Sequence, residues 1–271
     1  MDEFELVQRA RDGDRDALGE LLEQLRTPLF RLATSMFWDR EDAEDATQEV
    51  LIVVMTNLAT FRSEASLSTW AHRIAVRLYL RRRRSPTENA GLTFDRFGAD
   101  LLDGLADTDS ARPDAELLAE EVRVGCTLAV LQCLDRDDRI VFVLGDVFGM
   151  SGQDAAAILE VSHDAYRKRL ERVRVRLRAF VTANCGIINT DAPCRCAHRV
   201  NRAISTRRVD PGALRFADAE ALHSAKNEIA ALHDTAALFR AAGAYSAPAE
   251  LARRVIEVLD APSTLLDGDS Q

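Results

Sequence analysis

Acidic side chains recur at helical spacing near the start of the stretch DREDAEDATQEV, which begins at Asp39. Spacings of three and four residues bring Asp42, Asp45 and Glu49 onto one helix face, with Gln48 beside them. Carboxylates one turn apart can dock against a basic protein surface. They can also be a solvated helix face, and this helix alone leaves both interpretations open.

A basic stripe follows one helix later. Residues 71–84 carry six arginines and no acidic side chain, and Arg73, Arg77 and Arg81 are each four positions apart. This spacing suits contact with successive phosphates of a nucleic acid. The simpler alternative is a basic helix end that complements the helix dipole. Four consecutive arginines, at 81–84, exceed what the dipole requires and favour nucleic-acid contact.

Between these two helices lies the polar stretch FRSEASLST, which contains one aromatic residue. Aromatic and polar side chains in a loop can hold bases that have left the stack. Ser68 or Thr69 can cap the next helix, and Trp70 is expected to face the core with Ile74 and Leu78. Phe61 could also be a core residue. The candidates for DNA contact and strand opening are Phe61, Arg62, Ser66, Ser68, Thr69, Trp70, Arg73, Arg77 and Arg81.

A second basic segment covers residues 163–178, with seven basic and two acidic side chains. It follows GQDAAAIL, which Ser151 can cap, and a short turn at residues 159–162. Two helices joined by such a turn, with the second helix basic, predict a DNA-binding helix-turn-helix; the alternative is a basic surface helix. Residues at the helix start are the natural base readers and later arginines hold phosphates. The candidates are His163, Asp164, Arg167, Lys168, Arg169, Arg172 and Arg174.

The composition and patterning predict an all-α protein. Ala, Leu and Arg are abundant, apolar residues recur every three or four positions, and alternating strand patterns are absent. No apolar run reaches the ~18 residues needed to cross a bilayer, and the acidic N-terminus is not a signal peptide, so we expect a cytoplasmic protein without a membrane partner. We find no nucleophile–base, P-loop or HExxH motif, so we expect no enzyme activity. The net charge of −9 conceals the two basic segments.

The segments DAEDATQEV, FRSEASLSTWAHRIA and the arginine run resemble region 2 of bacterial sigma factors, most closely the extracytoplasmic-function (ECF) group. The stretch 131–178 resembles sigma region 4. The resemblance implies that the acidic helix docks on the β′ subunit of core RNA polymerase, with contacts to β as well. It also implies that the loop and next helix open and read the promoter −10 element, and that the helix-turn-helix reads the −35 element.

The resemblance divides the chain into a region 2 bundle at residues 1–85, an acidic linker at 86–115, a region 4 helix-turn-helix at 116–182 and a C-terminal extension at 183–271. Two departures stand out. The family usually has glycine in the turn where this chain has Glu160, at a cost of about 1 kcal/mol if the left-handed conformation is kept. The recognition helix begins with HDAYRK, so no −35 preference transfers from relatives.

The extension offers a second kind of chemistry. Cys185, Cys194, Cys196 and His198 are four ligands of the types that bind zinc, although their spacing is tighter than usual. Reduced thiols in a structural clasp are the alternative; Cys126 and Cys133 are expected in the core. No cofactor is required by this reading. Residues 214–260 predict helices with an apolar seam that must pack on something. That partner could be the sigma domains, giving self-inhibition, while an anti-sigma factor is a further possible partner.

The sequence therefore predicts a sigma factor that binds core RNA polymerase and directs promoter-specific initiation. One alternative is a helix-turn-helix regulator that acts without polymerase, which would leave the Asp42–Arg84 arrangement unused. Another is a thiol- or metal-responsive sensor built on the cysteine cluster, which could also act as a regulatory layer on a sigma factor.

Overall fold

A computed structural model describes residues 2–84, 86–89, 91–103, 105, 114–216, 235–242 and 247–260. Within these ranges the regular secondary structure is helical, apart from one isolated bridge between Cys185 and Cys194. The expected all-α fold is confirmed. None of the helices in these ranges is long and apolar enough to cross a lipid bilayer.

The first part of the chain forms four helices around one core. Helix α2 is the central element, because it contacts α1, α3 and α4 as well as later helices. Its buried Phe37 meets the ring of Tyr79 on α4 edge to face at 5.2 Å, and the Tyr79 hydroxyl donates to the Leu29 carbonyl at 3.3 Å. These four helices are α1 (Glu3–Arg11), α2 (Arg15–Phe37), α3 (Arg40–Thr56) and α4 (Leu67–Arg81).

Helix α2 is one continuous element that includes Pro28. It begins at Arg15, where Asp14 caps it by accepting the N–H groups of Asp16 (3.0 Å) and Ala17 (3.1 Å). It then continues through Pro28 to Phe37. A proline inside a helix normally costs about 3 kcal/mol, but the buried residues on both sides of Pro28 keep the two halves in one helix.

The acidic linker is more ordered than predicted. It contains α5 (Pro86–Asn89) and α6 (Phe94–Leu102), and Thr93 caps α6. Phe97 and Leu101 on α6 are buried. The rings of Phe94 and Phe97 lie 5.1 Å and 5.9 Å from that of Phe180. Apolar residues hidden among the linker carboxylates therefore fix this segment against α10.

The second part of the chain forms the helix-turn-helix and its supporting helices. Helices α7 and α8 both contact α2, α8 also contacts α10, and a π-helical turn at Val143–Val147 follows α8. The helices are α7 (Ala115–Gln132), α8 (Arg136–Phe142), α9 (Gly152–Leu159) and α10 (His163–Asn184).

The extension wraps back over both parts. Helix α11 (Cys196–Ser205) packs on α7, α12 (Thr235–Ala242) packs on α7 and the π-helical turn, and α13 (Glu250–Asp260) packs on α2 and α3. The apolar seam predicted from Leu222 to Leu232 lies outside the described residues. Its last members, Ala236 and Phe239, lie on α12, where Phe239 is buried.

Candidate nucleic-acid interface

The predicted acidic face is present on α3. Asp39 caps this helix by accepting the N–H groups of Glu41 (3.0 Å) and Asp42 (3.2 Å). Asp45 and Glu49 are exposed, whereas Asp42 and Gln48 are half-buried. Partial burial, together with the nearby Asp39 carboxylate, raises the pKa of Asp42. The side chains that reach solvent are therefore Asp45 and Glu49, one helical turn apart.

The loop after α3 is tied to the N-terminal helix. The Arg11 guanidinium donates to the carbonyl of Leu58 at 3.0 Å and also to that of Phe61. Glu3 accepts the backbone N–H of Leu67 at 3.0 Å. These contacts join α1 to both ends of the loop across more than forty residues of sequence, so α1 positions the loop.

Ser66 caps α4, in place of the predicted Ser68 or Thr69. Its hydroxyl oxygen accepts the N–H of Thr69 at 3.1 Å. The helix consequently starts at Leu67, and its fully buried face is Leu67, Ala71, Ala75 and Tyr79. Trp70, Ile74 and Leu78, which we expected to face the core, are only partly buried and lie at the edge of that face.

Phe61 lies in the core, so its ring is not exposed for stacking on a DNA base. It is 4% exposed, and its ring is 5.4 Å from that of Trp70. The two rings border a cavity of about 180 Å³ that opens beside the loop. One wall is Arg73, whose buried Nε has no hydrogen-bond partner in the described structure. The other lining residues are Thr60, Arg62, Glu64 and Ala65.

The basic stripe of α4 is only partly free. Arg81 is exposed, as are Arg83 and Arg84 beyond the helix. Arg77, although half-exposed, forms an ion pair with Glu160 of the helix-turn-helix. Arg82 pairs with Glu49 at 2.8 Å. A phosphate backbone approaching this stripe would thus compete with two internal carboxylates.

The helix-turn-helix has the predicted local geometry. Ser151 caps α9 by accepting the N–H of Asp154 at 3.1 Å and donates its own proton to the Asp154 carboxylate at 2.6 Å. Ser162 caps α10. Glu160 occupies the left-handed conformation (φ 57°, ψ 38°). The Tyr166 hydroxyl anchors α10 by donating to the Val141 carbonyl at 3.2 Å, and burial raises the pKa of Tyr166 to about 12.

The candidate DNA-contacting side chains of α10 divide into two groups. His163, Asp164, Arg167, Lys168 and Arg172 are exposed, and Lys168 pairs with Asp164 at 2.8 Å. The second group is held by carboxylates of the supporting helices. Arg169 binds Asp138 at 2.6 Å, and Arg174 binds Asp146 at 2.5 and 2.8 Å.

Arg169 and Arg174 therefore anchor the recognition helix to the structure beneath it, and the start of α10 carries the exposed donors. Arg176, which binds Asp138 at 2.8 Å, belongs with the anchors.

A buried charge cluster joins the two parts of the chain, and the sequence interpretation missed it. Glu88, in the linker, binds both Arg136 and Arg139. Arg136 also donates to the Tyr79 carbonyl at 3.1 Å, and Arg139 donates to the Leu134 carbonyl at 3.0 Å. The available signal was the pair of arginines three positions apart on the short helix α8.

The cysteines gather at the meeting point of the extension and α7. Cys185 and Cys194 face each other across the isolated bridge, and Cys126 lines one cavity with Cys194 and Cys196. Burial raises the pKa of all three cavity thiols, that of Cys196 to about 12.

The thiol cluster does not form a ready-made metal site. Among the described residues, no group of three or more His, Cys, Asp or Glu side chains is arranged to hold a metal ion. His198 is half-buried on α11. Cys126 packs against the core, as expected, and also lines the same cavity as Cys194 and Cys196. Zinc binding stays a prediction.

Comparison with known families finds two matching segments. The sigma-70 region 2 family model matches residues 21–87, and the sigma-70 region 4 model matches residues 125–177. The first covers α2 from Leu21 onward, all of α3 and α4, and the start of α5, with the acidic face and the loop. The second covers the last eight residues of α7, all of α8 and α9, and α10 up to Leu177.

Curated relatives carry the same description. ECF sigma factor SigE of Mycolicibacterium smegmatis is 30% identical over 177 residues, covering 62% of this chain and 64% of that protein, just under two thirds of its length. The ECF sigma-E factor of Haemophilus influenzae is 29% identical over 62% of this chain and 89% of its own. SigM of Mycobacterium tuberculosis is 29% identical over 68% and 84%.

Among solved structures, CnrH in complex with the cytosolic domain of CnrY is 24% identical, with a TM-score of 0.47 over 67% of this chain and 97% of that one.

The acidic α3, the basic α4 and the helix-turn-helix thus occur in the order of the two matched sigma-70 regions. The chain is similar to the ECF sigma factors, which direct transcription initiation. Sigma factors are non-enzymatic; they bind core RNA polymerase and promoter DNA.

Proposed function

We propose that the chain docks on core RNA polymerase through the acidic face of α3 and reads promoters with the α4 region and with α10. The observation that carries this proposal is the exposure of Asp45 and Glu49 on a helix that buries its apolar face, including Ala46 and Val50, in the core. Asp42 and Gln48 border them and complete the docking face. Complementary charge across such a contact speeds association and fixes its register.

Single-stranded DNA of the −10 element would enter beside the loop. A cavity of about 180 Å³ compares with the ~150 Å³ cavity that holds benzene in an engineered protein, so one base can enter it. The unpartnered Nε of Arg73 supplies a donor there. Phe61 and Trp70 form the apolar wall, and Arg62, Ser66, Ser68 and Thr69 lie on the strand path.

Double-stranded DNA of the −35 element would meet the start of α10. His163, Asp164, Arg167 and Lys168 project from its first turns and can reach base edges in the major groove. Arg172, two turns into the helix, is suited to a phosphate. Arg169 and Arg174 keep α10 in place through Asp138 and Asp146.

The structure is a closed arrangement that cannot span both elements. The −10 and −35 elements are named for positions about 25 base pairs apart. That separation is on the order of 80 Å at ~3.4 Å per base pair. Here α4 packs against α9, the Arg77 side chain binds Glu160, and the ring of His72 lies 5.4 Å from that of Phe148. The two reading surfaces must therefore separate before both elements can be bound.

We infer that the extension stabilises this closed arrangement. Helix α13 packs on α2 and α3, with the Arg15 side chain bound to Asp260 at 2.9 Å. Helix α12 packs on the second part of the chain, where Phe239 meets Phe142 at 5.0 Å and Arg240 donates to the Asp146 carbonyl at 3.0 Å. By contacting both parts, the extension favours self-inhibition; an anti-sigma partner stays a prediction.

The docking proposal is tested with the double variant Asp45→Arg/Glu49→Arg. We expect at least tenfold weaker binding to purified core polymerase, with unchanged thermal unfolding. The control is Glu5→Arg/Asp12→Arg, which reverses two exposed charges elsewhere and should bind like the wild type. Equal binding by both double variants would contradict the docking face, and failure of the wild type itself to bind core polymerase would favour a helix-turn-helix regulator that acts without polymerase.

Self-inhibition is tested by deleting residues 235–271, which removes α12 and α13. The truncated chain should start more transcript per bound polymerase, provided that circular dichroism shows retained helix content. Unchanged transcript yield from a folded truncated chain would contradict the restraint.

A further inference from the structure

We propose that the cavity between α2, α6, α7 and the extension binds an uncharged organic molecule of two or three rings that carries an amide or lactam edge. The cavity has a volume of about 390 Å³. Its apolar lining includes Trp38 from the end of α2, Phe97 from α6, Ala129 from α7 and Phe216 from the extension. Since ~150 Å³ suffices for benzene, this space holds a larger, fused-ring molecule.

The amide edge follows from Gln132. This residue lines the cavity, and both the Nε2 and the Oε1 of its carboxamide are buried without a hydrogen-bond partner among the described residues. Each buried polar group left unpaired costs about 1–3 kcal/mol. A ligand with adjacent N–H and C=O groups would pair with both atoms at once, as amides and lactams do.

The ligand is uncharged because other polar residues that line the cavity already have partners. Asp100 is bound by Arg199 at 3.2 Å and by Arg208 at 3.0 Å. Glu121 accepts the backbone N–H of Arg215 at 2.9 Å. Arg215, which also lines the cavity, binds Asp39 at 3.5 Å. These charged side chains of the wall thus already have partners within the chain, and burial raises the pKa of the Cys126 thiol. An ionic ligand would lose its hydration without gaining a counter-charge.

Because of the position of the cavity, a bound ligand would affect the arrangement of the chain. Its lining comes from the region 2 bundle, the linker, the first helix of the region 4 part and the extension. A molecule that contacts all four binds the closed arrangement and shifts the population toward it. This consequence rests on the proposed restraint by the extension, whereas binding itself does not.

Binding is tested by isothermal titration of the full chain with two neutral probes, quinolin-2-one and 2-naphthamide, and with the 2-naphthoate anion. We expect at least one neutral probe to bind, and the anion to bind at least tenfold more weakly. Gln132→Leu should weaken the neutral probe at least tenfold, and it should not lower the melting temperature because it removes an unpaired polar group. Gln24→Leu, the same change at an exposed site on α2, should leave binding unchanged.

A third variant tests the location. Ala129→Phe fills the cavity from α7 and should abolish binding, with thermal unfolding showing that the chain remains folded. The proposal is overturned if neither probe binds, if the naphthoate anion binds as tightly as the amides, or if Gln132→Leu binds them as tightly as the wild type. These titrations contain no polymerase, so their failure is distinct from failure of the promoter-reading proposal.

Discussion

Replacing Glu88 by glutamine tests the buried cluster that joins the two parts of the chain. The Arg136 and Arg139 side chains are 8% and 3% exposed, and Glu88 is the carboxylate that binds both. Removing one partner of a buried ion pair typically costs about 3–5 kcal/mol, because the opposite charge stays buried. The loss should fall near 3 kcal/mol, since backbone carbonyls of Tyr79 and Leu134 still accept from the two guanidinium groups.

The assay is urea unfolding at neutral pH, followed by circular dichroism. The matched control is Glu49→Gln, which also removes a carboxylate bound to an arginine. Its partner Arg82 is partly solvated and the Glu49 side chain is half-exposed, so the expected loss is at most about 1 kcal/mol. If Glu88→Gln loses no more stability than Glu49→Gln, the cluster does not hold the two parts together as argued.

Three further predictions concern His72, Glu160 and the start of α10. Burial lowers the pKa of His72 below its ordinary 6.5. The unfolded chain therefore binds a proton at a higher pH than the folded chain does, so the free energy of unfolding decreases as pH drops below 6.5. The loss is at most about 1.4 kcal/mol per pH unit. His72→Phe should flatten that part of the stability–pH curve, and an unchanged curve would refute the assignment. Glu160→Gly relieves the left-handed strain and should raise stability by up to about 1 kcal/mol in thermal unfolding; a loss would mean that the ion pair with Arg77 outweighs the strain. Arg167→Ala and Lys168→Ala should each reduce discrimination between cognate and scrambled −35 DNA by about 1–3 kcal/mol in competition binding, whereas loss of affinity for both DNAs alike would assign these residues to phosphates.

Local sequence signals predicted the helices and several caps well. Leu170, Val173 and Leu177 are buried as their spacing indicated, and Ser151 caps α9. Glu160 keeps the left-handed conformation on which its expected strain depended. These features depend on neighbours within one or two helical turns, which the sequence displays directly.

The features that the sequence did not show depend on contacts between residues far apart in the chain. Phe61 is held in the core, in part through Arg11, fifty residues earlier. Residues of the acidic linker form α6 because the ring of Phe97 packs against that of Phe180. Cys126 meets thiols seventy residues later. Helical periodicity shows which residues form the apolar face of a helix. It does not show which distant residues pack against that face.

The central claim is tested most directly by transcription with purified components. Core RNA polymerase, this chain and a library of fragments from the source genome are combined, and the 5′ ends of the transcripts are mapped. We predict specific starts that require the chain and that decline when Asp45 and Glu49 are both changed to arginine. If no specific start appears from any cognate promoter, the proposal that this chain docks on polymerase and reads promoters is contradicted.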